Sequence, residues 1–273
     1  MEVDIMGILN NIFGKKNEKP ENKGQHILSM PMFKGDRGYS LDKVIQDLKS
    51  YWGLKVDEIE GDDNTATFKI DEELVALALM PAPIPSAEFE SIYNYSYLWK
   101  DAEKEIQEHT QHAIVSLLGL GSNTPAVERY SLLSKLNASI LRTCETAIGI
   151  YQGASTLLLP KNLYIDFTDL LLDEDDILPI QLWVYIGIIN SDEKSSVYTY
   201  GMKEFGKSEI EIIDANMKGS ELYDFLLPVL DYVLQQDVTL QHGETIGFTE
   251  EQKIKITESK AVFLDGNSLK LEL

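Results

Sequence analysis

An α+β fold of two similar halves is what this sequence predicts, and three observations carry that reading. Helical and strand-like apolar periods alternate along the chain. Turn-forming residues keep the strands short, and a strand–loop–helix–strand order opens twice, at HILS (His26–Ser29) and at HAIVS (His112–Ser116). Each half is expected as a β-α-β-β-like unit, with an antiparallel-rich sheet and helices packed on one face. The 273 residues are enough for one large unit or two closely packed halves. The expected division is an amphipathic peptide and linker over 1–25, an N-terminal half over 26–111 and a C-terminal half over 112–273.

In chain order, Ile5, Ile8, Leu9, Ile12 and Phe13 recur at helical spacing, and the polar run GKKNEKPENKG (Gly14–Gly24) follows as a linker. His26–Met30 reads as a strand. Ser40 then stands at the start of a helix running to Tyr51, whose Leu41, Val44, Ile45 and Leu48 share one face. Three strands follow at Leu54–Ile59, Thr65–Ile70 and Leu74–Met80. Pro81, Pro83 and Pro85 make a stiff connector, because proline suits neither a helix interior nor a central strand. Ser86–Gln111 reads as mainly helical, although Tyr93, Tyr95, Tyr97 and Trp99 alternate at the period of a strand. His112–Leu118 is a strand, Thr124-Pro125 opens a helix to about Thr146, and Ala147–Tyr151 is the next strand. Lys161–Leu172 and Ser220–Gln236 read as helices. Leu182–Ile189, Ser196–Tyr200 and Glu209–Ile213 read as strands, with short strands closing the chain.

Composition narrows the function classes. Against 24 basic residues stand 45 acidic ones, a net charge of −21. That field repels phosphate backbones and anionic lipid, which argues against nucleic-acid binding and suits a partner with a basic face. The charge belongs to the body, since residues 1–25 carry four acids and four bases. The acidic stretches DEIEGDD (Asp57–Asp63) and DEDD (Asp173–Asp176) read as exposed loops. One cysteine, Cys144, rules out an intrachain disulfide, and its apolar helical setting makes it a small buried hydrophobe. No apolar run reaches the ~18 residues of a membrane span, and the N-terminus lacks the pattern of a signal peptide. A cytoplasmic location is expected by elimination. The N-terminal helix, with Lys15, Lys16, Lys19 and Lys23 beyond it, leaves room for weak contact with a membrane surface.

No complete catalytic set is visible. GLGSNT (Gly119–Thr124) lies between a strand and a helix but lacks the third glycine of a dinucleotide turn and the Lys-Ser or Lys-Thr of a P-loop. No cofactor is implied by these motifs. Two histidines are close together in EIQEHTQH. On a continuous helix Glu105, His109 and His112 would share one face, as a divalent-metal site or an acid/base cluster requires. Glu209 and Glu211 lie on one side of a strand with Ile210 and Ile212 on the other, so they offer paired carboxylates. Gly201 and Gly206 read as tight-turn positions.

Several motifs together resemble a bacterial family known as domain of unknown function 4261. They are MPAPIP (Met80–Pro85), Trp99, HTQHAIVS (His109–Ser116), IYQG (Ile150–Gly153), LWV (Leu182–Val184), TYGMKEFGKSEIE (Thr199–Glu211) and HGETIG (His242–Gly247). The resemblance runs from about residue 74 to 273. It brings no activity, and it marks His109, His112 and Trp99 as family features. The candidate polar cluster is therefore Trp99, Glu105, His109, His112, Glu209 and Glu211. The expected function is a non-enzymatic acidic protein-interaction module, an immunity-like or accessory factor. The alternative is a metal-dependent or acid/base enzyme built around His109 and His112.

Overall fold

The computed structural model describes residues 26–119, 123–172, 177–191, 193–247 and 253–273. The expected N-terminal helix, the centre of the GLGSNT loop and the DEDD run lie outside them. Two sheets and five α-helices make up the described chain, an α+β architecture.

The first sheet begins with β1 (Ile27–Phe33), which is followed by helix α1 (Leu41–Ser50). The meander β2 (Val56–Gly61), β3 (Thr65–Ile70) and β4 (Glu73–Met80) comes next. After a long connection the chain returns as β5 (Gln111–Leu117), helix α3 (Ala126–Thr143), β6 (Ala147–Gln152) and β7 (Leu157–Pro160). Helix α4 (Lys161–Asp169) closes this half. The strand order is β2-β3-β4-β5-β1-β6-β7, antiparallel throughout.

The second sheet holds β8 (Tyr185–Asn190), β9 (Ser195–Tyr200), β10 (Ile210–Ala215), β11 (Thr245–Ile246), β12 (Ile254–Lys260) and β13 (Asn267–Glu272). Its order is β11-β12-β13-β10-β9-β8, and the β10–β13 pair is parallel. Helix α5 (Gly219–Gln235) packs on β8 and β9.

The halves are therefore not alike. Strands β5, β6 and β7 join the first sheet, so the sheets do not divide at 111/112, and among the described residues α5 is the helix that packs on the second sheet. The echo between HILS and HAIVS has a local cause: β1 and β5 are neighbours in one sheet, with Ile27 opposite Leu117 and Ser29 opposite Val115.

Amphipathic spacing explains the helices. In α1 the predicted face Leu41, Val44, Ile45 and Leu48 is buried. Each such aliphatic side chain contributes roughly 1.5–3 kcal/mol when fully removed from water. Ser40 makes no cap bond; instead Asp63 Oδ1 accepts from the Leu41 N–H at 2.7 Å, across the β2–β3 turn. The acidic stretch before it is exposed, yet it forms edge strand β2 rather than a loop. Charges on a sheet edge discourage pairing with another chain.

Arg142 of α3 ties the helix layer together. Its guanidinium bonds Asp47 of α1 and Asp169 of α4, both at 2.9 Å, and stacks 3.7 Å from the Tyr51 ring centre. Inside, α3 carries a buried polar line. Ser29 donates to Asn137 at 2.9 Å, and Asn137 donates to the Tyr164 hydroxyl at 3.0 Å. Burial pushes the Tyr164 hydroxyl up to about 12. The two sheets share one core, where Tyr130, Trp183 and Phe205 pack with ring centres 4.8–6.1 Å apart. Cys144 is buried, as its setting predicted.

The other face of the first sheet is covered by residues 81–110. This stretch is not mainly helical: it makes single 3-10 turns at Ser86–Glu88 and Tyr93–Tyr95 and one short helix, α2 (Ala102–Ile106). Its Phe89, Ile92, Trp99, Ala102 and Ile106 pack with Met32, Tyr151 and Leu158 in a second, smaller core. Placing these aromatic rings on the sheet decides its path, and helix propensity does not.

Candidate functional site

The two histidines do not share a helix face. Helix α2 ends at Ile106, and His112 belongs to β5, opposite Met80 and Met32. His109 is buried, and both ring nitrogens are engaged. Nε2 accepts from the Ile84 N–H at 2.8 Å, and Nδ1 bonds the Ile106 carbonyl. Those partners define the neutral tautomer with the proton on Nδ1. Desolvation holds its pKa below 6.5, although the Ile106 bond acts in the opposite direction. His112 Nδ1 bonds the Ala82 carbonyl at 2.8 Å, and desolvation lowers its pKa too. Together the pair fastens the Pro81–Pro85 connector to the sheet.

Trp99 and Glu105 lie at the wall of an open cleft of about 550 Å3, between the α2 region, β6 and the start of α4. The Trp99 ring fits because residue 149 is glycine: a Cβ there would meet the indole at 2.6 Å and the Leu159 carbonyl at 2.4 Å. Among the described residues, no hydrogen bond or ion pair joins either histidine to Glu105, Glu209 or Glu211. Nor do three or more His, Cys, Asp or Glu side chains come together where they could hold a metal ion.

Glu209 and Glu211 belong to the second sheet, and each is held by donors. Glu209 is buried and accepts from Thr199 Oγ1 at 2.8 Å and from the N–H groups of Gly201 at 3.0 Å and Met202 at 3.4 Å. It therefore caps the 3-10 turn Met202–Phe205, which glycines with positive φ bracket at 201 and 206. Desolvation raises its pKa against these bonds. Glu211 is fully buried, pairs with Lys270 at 2.6 Å and accepts from Ser268 at 2.7 Å and from the Phe263 N–H at 2.9 Å. Desolvation pushes its pKa up, but the bonds from Lys270, Phe263, Ser268 and Val262 prevail and hold it below the usual carboxylate range. The paired carboxylates thus fasten a turn and a hairpin.

A tyrosine-rich surface emerges where the 81–110 segment meets the second sheet. Tyr97 packs against Tyr185 at 5.9 Å and Tyr223 at 6.5 Å, and Tyr185 packs on Tyr198 at 6.0 Å. Tyr198 stacks on Phe263 at 5.3 Å, over Gly187, where a Cβ would come within 2.1 Å of the ring. Tyr200 is the cross-strand partner of Tyr185. Tyr95, Tyr97 and Tyr200 keep 56%, 42% and 37% of their surface exposed. Burial, followed by the neighbouring tyrosines, raises the Tyr97 and Tyr185 hydroxyl pKa values far above the usual value. Exposed Glu88 and Asp224 lie near enough to Tyr151 and Tyr223 to raise theirs further. Sequence reading missed this surface, because its members come from four separate stretches. The alternating Tyr93, Tyr95, Tyr97 and Trp99 gave the one signal available.

Fold and site together define a two-sheet α+β protein with an aromatic, acid-flanked face. Residues 198–272 match the profile of a family described as Domain of unknown function (DUF4261), so the resemblance read from the sequence is supported over this segment. The matched segment runs from β9 through β13 and contains Glu209, Glu211 and His242. The motifs between residues 74 and 197 fall outside it. No curated protein and no solved structure matches the chain.

Proposed function

We propose that this protein is a non-enzymatic protein-interaction module that docks a basic partner on its tyrosine face. One observation carries this: Tyr95, Tyr97 and Tyr200 are partly exposed on one surface of a chain with net charge −21. Tyrosine supplies large, rigid contact area with a polar tip, which is why it is enriched at binding hot spots. Flanking carboxylates would steer a basic surface towards it. An accessory or immunity-like role, acting by occupying a partner, rests on the same complementarity.

The test compares wild type with a Tyr95→Ser/Tyr200→Ser variant in a low-salt pull-down from native lysate. The expected result is one stoichiometric companion with wild type, weakened by added salt and absent with the variant. Identical recovery by both proteins, or no stoichiometric companion at all, overturns the proposal. The alternative, metal or acid/base chemistry at His109 and His112, rests on their proximity in sequence and on the family resemblance of the segment that holds them. Zinc- or manganese-dependent stabilisation that disappears in His109→Ala/His112→Ala would revive it.

A further inference from the structure

Independently of the tyrosine face, we propose that the N-terminal peptide of this chain, residues 5–13, lays its apolar stripe in the groove between α5 and β11.

The groove is apolar and open to solvent. Helix α5 contributes Pro228, Val229 and Tyr232, and the stretch from α5 through β11 contributes Val238, Leu240 and Ile246, around a volume of about 880 Å3. Pro228 and Tyr232 are exposed, and Val238, Leu240 and Ile246 are only half-buried, although Leu240 and Ile246 pack on the core. The sequence supplies an occupant of matching chemistry. Ile5, Ile8, Leu9 and Ile12 stand at i, i+3, i+4 and i+7, the spacing with which an amphipathic helix anchors in a hydrophobic groove, and Phe13 extends the stripe. A helix that short is marginal in water by itself, so it gains from a surface to fold against. Its covalent tether makes docking intramolecular, at an effective concentration a free peptide would not reach.

Reach and charge agree. Twelve residues separate Phe13 from His26, the first described residue, and they can span up to about 40 Å. His26 is close to α3, since burial and then the Arg129 charge lower its pKa. From there the way to the groove is short. Tyr130, next to Arg129, packs 4.8 Å from Phe205, and Lys207 Nζ, two residues further on, lies 3.4 Å from Oγ1 of Thr239, which lines the groove. Glu244 is the charged residue among the described lining. Neither nearby lysine offsets it: Lys207 is paired with Asp237 at 2.6 Å, and Lys255, opposite Thr245, with Glu272 at 3.6 Å. Residues 14–25 carry four lysines against two glutamates, while residues 26–273 hold the whole net charge of −21.

The experiment places a nitroxide spin label on the full chain at Asn11→Cys, off the apolar stripe; Cys144 is buried, so the label goes to the new thiol. The 15N amide signals of Thr239, Gly243 and Gly247 should lose at least half their intensity relative to the same sample with the label reduced, and those of Tyr97 and Tyr200 should not. Ile8→Asp/Ile12→Asp, and separately Tyr232→Ala at an exposed position, should each at least halve that loss while leaving the rest of the spectrum in place. No loss at the groove, or a loss centred on Tyr97 and Tyr200, overturns the proposal. Unchanged broadening in Ile8→Asp/Ile12→Asp overturns it as well. When spin-labelled chain without 15N is mixed with label-free 15N chain, the groove signals should keep their intensity. Equal broadening in that mixture assigns the groove to a second copy and overturns the intramolecular seat.

Discussion

His109 shows how a residue can look functional and be consumed by structure. Its two ring nitrogens hold Ile84 and Ile106, so His109→Ala should cost about 2–4 kcal/mol in urea unfolding through the orphaned backbone groups. Its folded pKa lies below 6.5. Protonation therefore favours the unfolded chain, and this contribution is present above 6.5 and lost as pH falls below it. The acid limb of a stability–pH profile should be shallower in His109→Ala than in wild type. Glu211 has the opposite role, as a charge that must stay ionised. Glu211→Gln leaves Lys270 with less compensation and should cost about 3–5 kcal/mol. Its lowered pKa gives stability that is present above about 4.5 and fades as pH falls through the folded value. Both residues stood out in sequence by type and spacing. Their partners could not, because Ile84, Val262 and Phe263 reach them through the fold.

At the scale of elements, periodicity was enough for α1, α3, α5 and most strands, since one buried face leaves a regular apolar mark. It failed where packing against another element decided the conformation. The 86–111 stretch reads as helix by composition, yet its rings settle on the far face of the first sheet and leave only α2 in α-helical form. Strand β7 is four residues ending in proline, too short for any period to register. Ser40 matched a cap pattern locally, but its side chain makes no cap bond, and the first-turn N–H of Leu41 is taken instead by Asp63, 22 residues away. Close approach sets two sharp element-level tests. Gly149→Ala would drive a methyl into the Trp99 ring and the Leu159 carbonyl, and Gly187→Ala would meet Tyr198. Each should lower stability by about 1–3 kcal/mol in denaturant titrations. Gly35→Ala meets no atom within 4 Å, so its cost would come from its positive φ alone.

The whole molecule is where sequence said least. Two strand–helix–strand openings suggested duplicated halves, whereas long-range pairing gathers the strands between residues 27 and 160 into one sheet. Pairing of β1 between β5 and β6 leaves no local trace in either strand. The same non-local folding brings Tyr95, Tyr97, Tyr185, Tyr198, Tyr200 and Tyr223 together. The acidity read from composition then acquires a location, with Glu88 and Asp224 near that face. Among the described residues, no helix is long and apolar enough to cross a membrane. The most direct test of the docking face is tyrosine nitration footprinting of the purified protein and of the protein in native low-salt lysate. Tyr51 and Tyr232, 42% and 48% exposed, serve as internal controls elsewhere on the surface. Tyr95, Tyr97 and Tyr200 should be protected in lysate while Tyr51 and Tyr232 react as before. Equal reactivity of all five in both settings would contradict a docking face there.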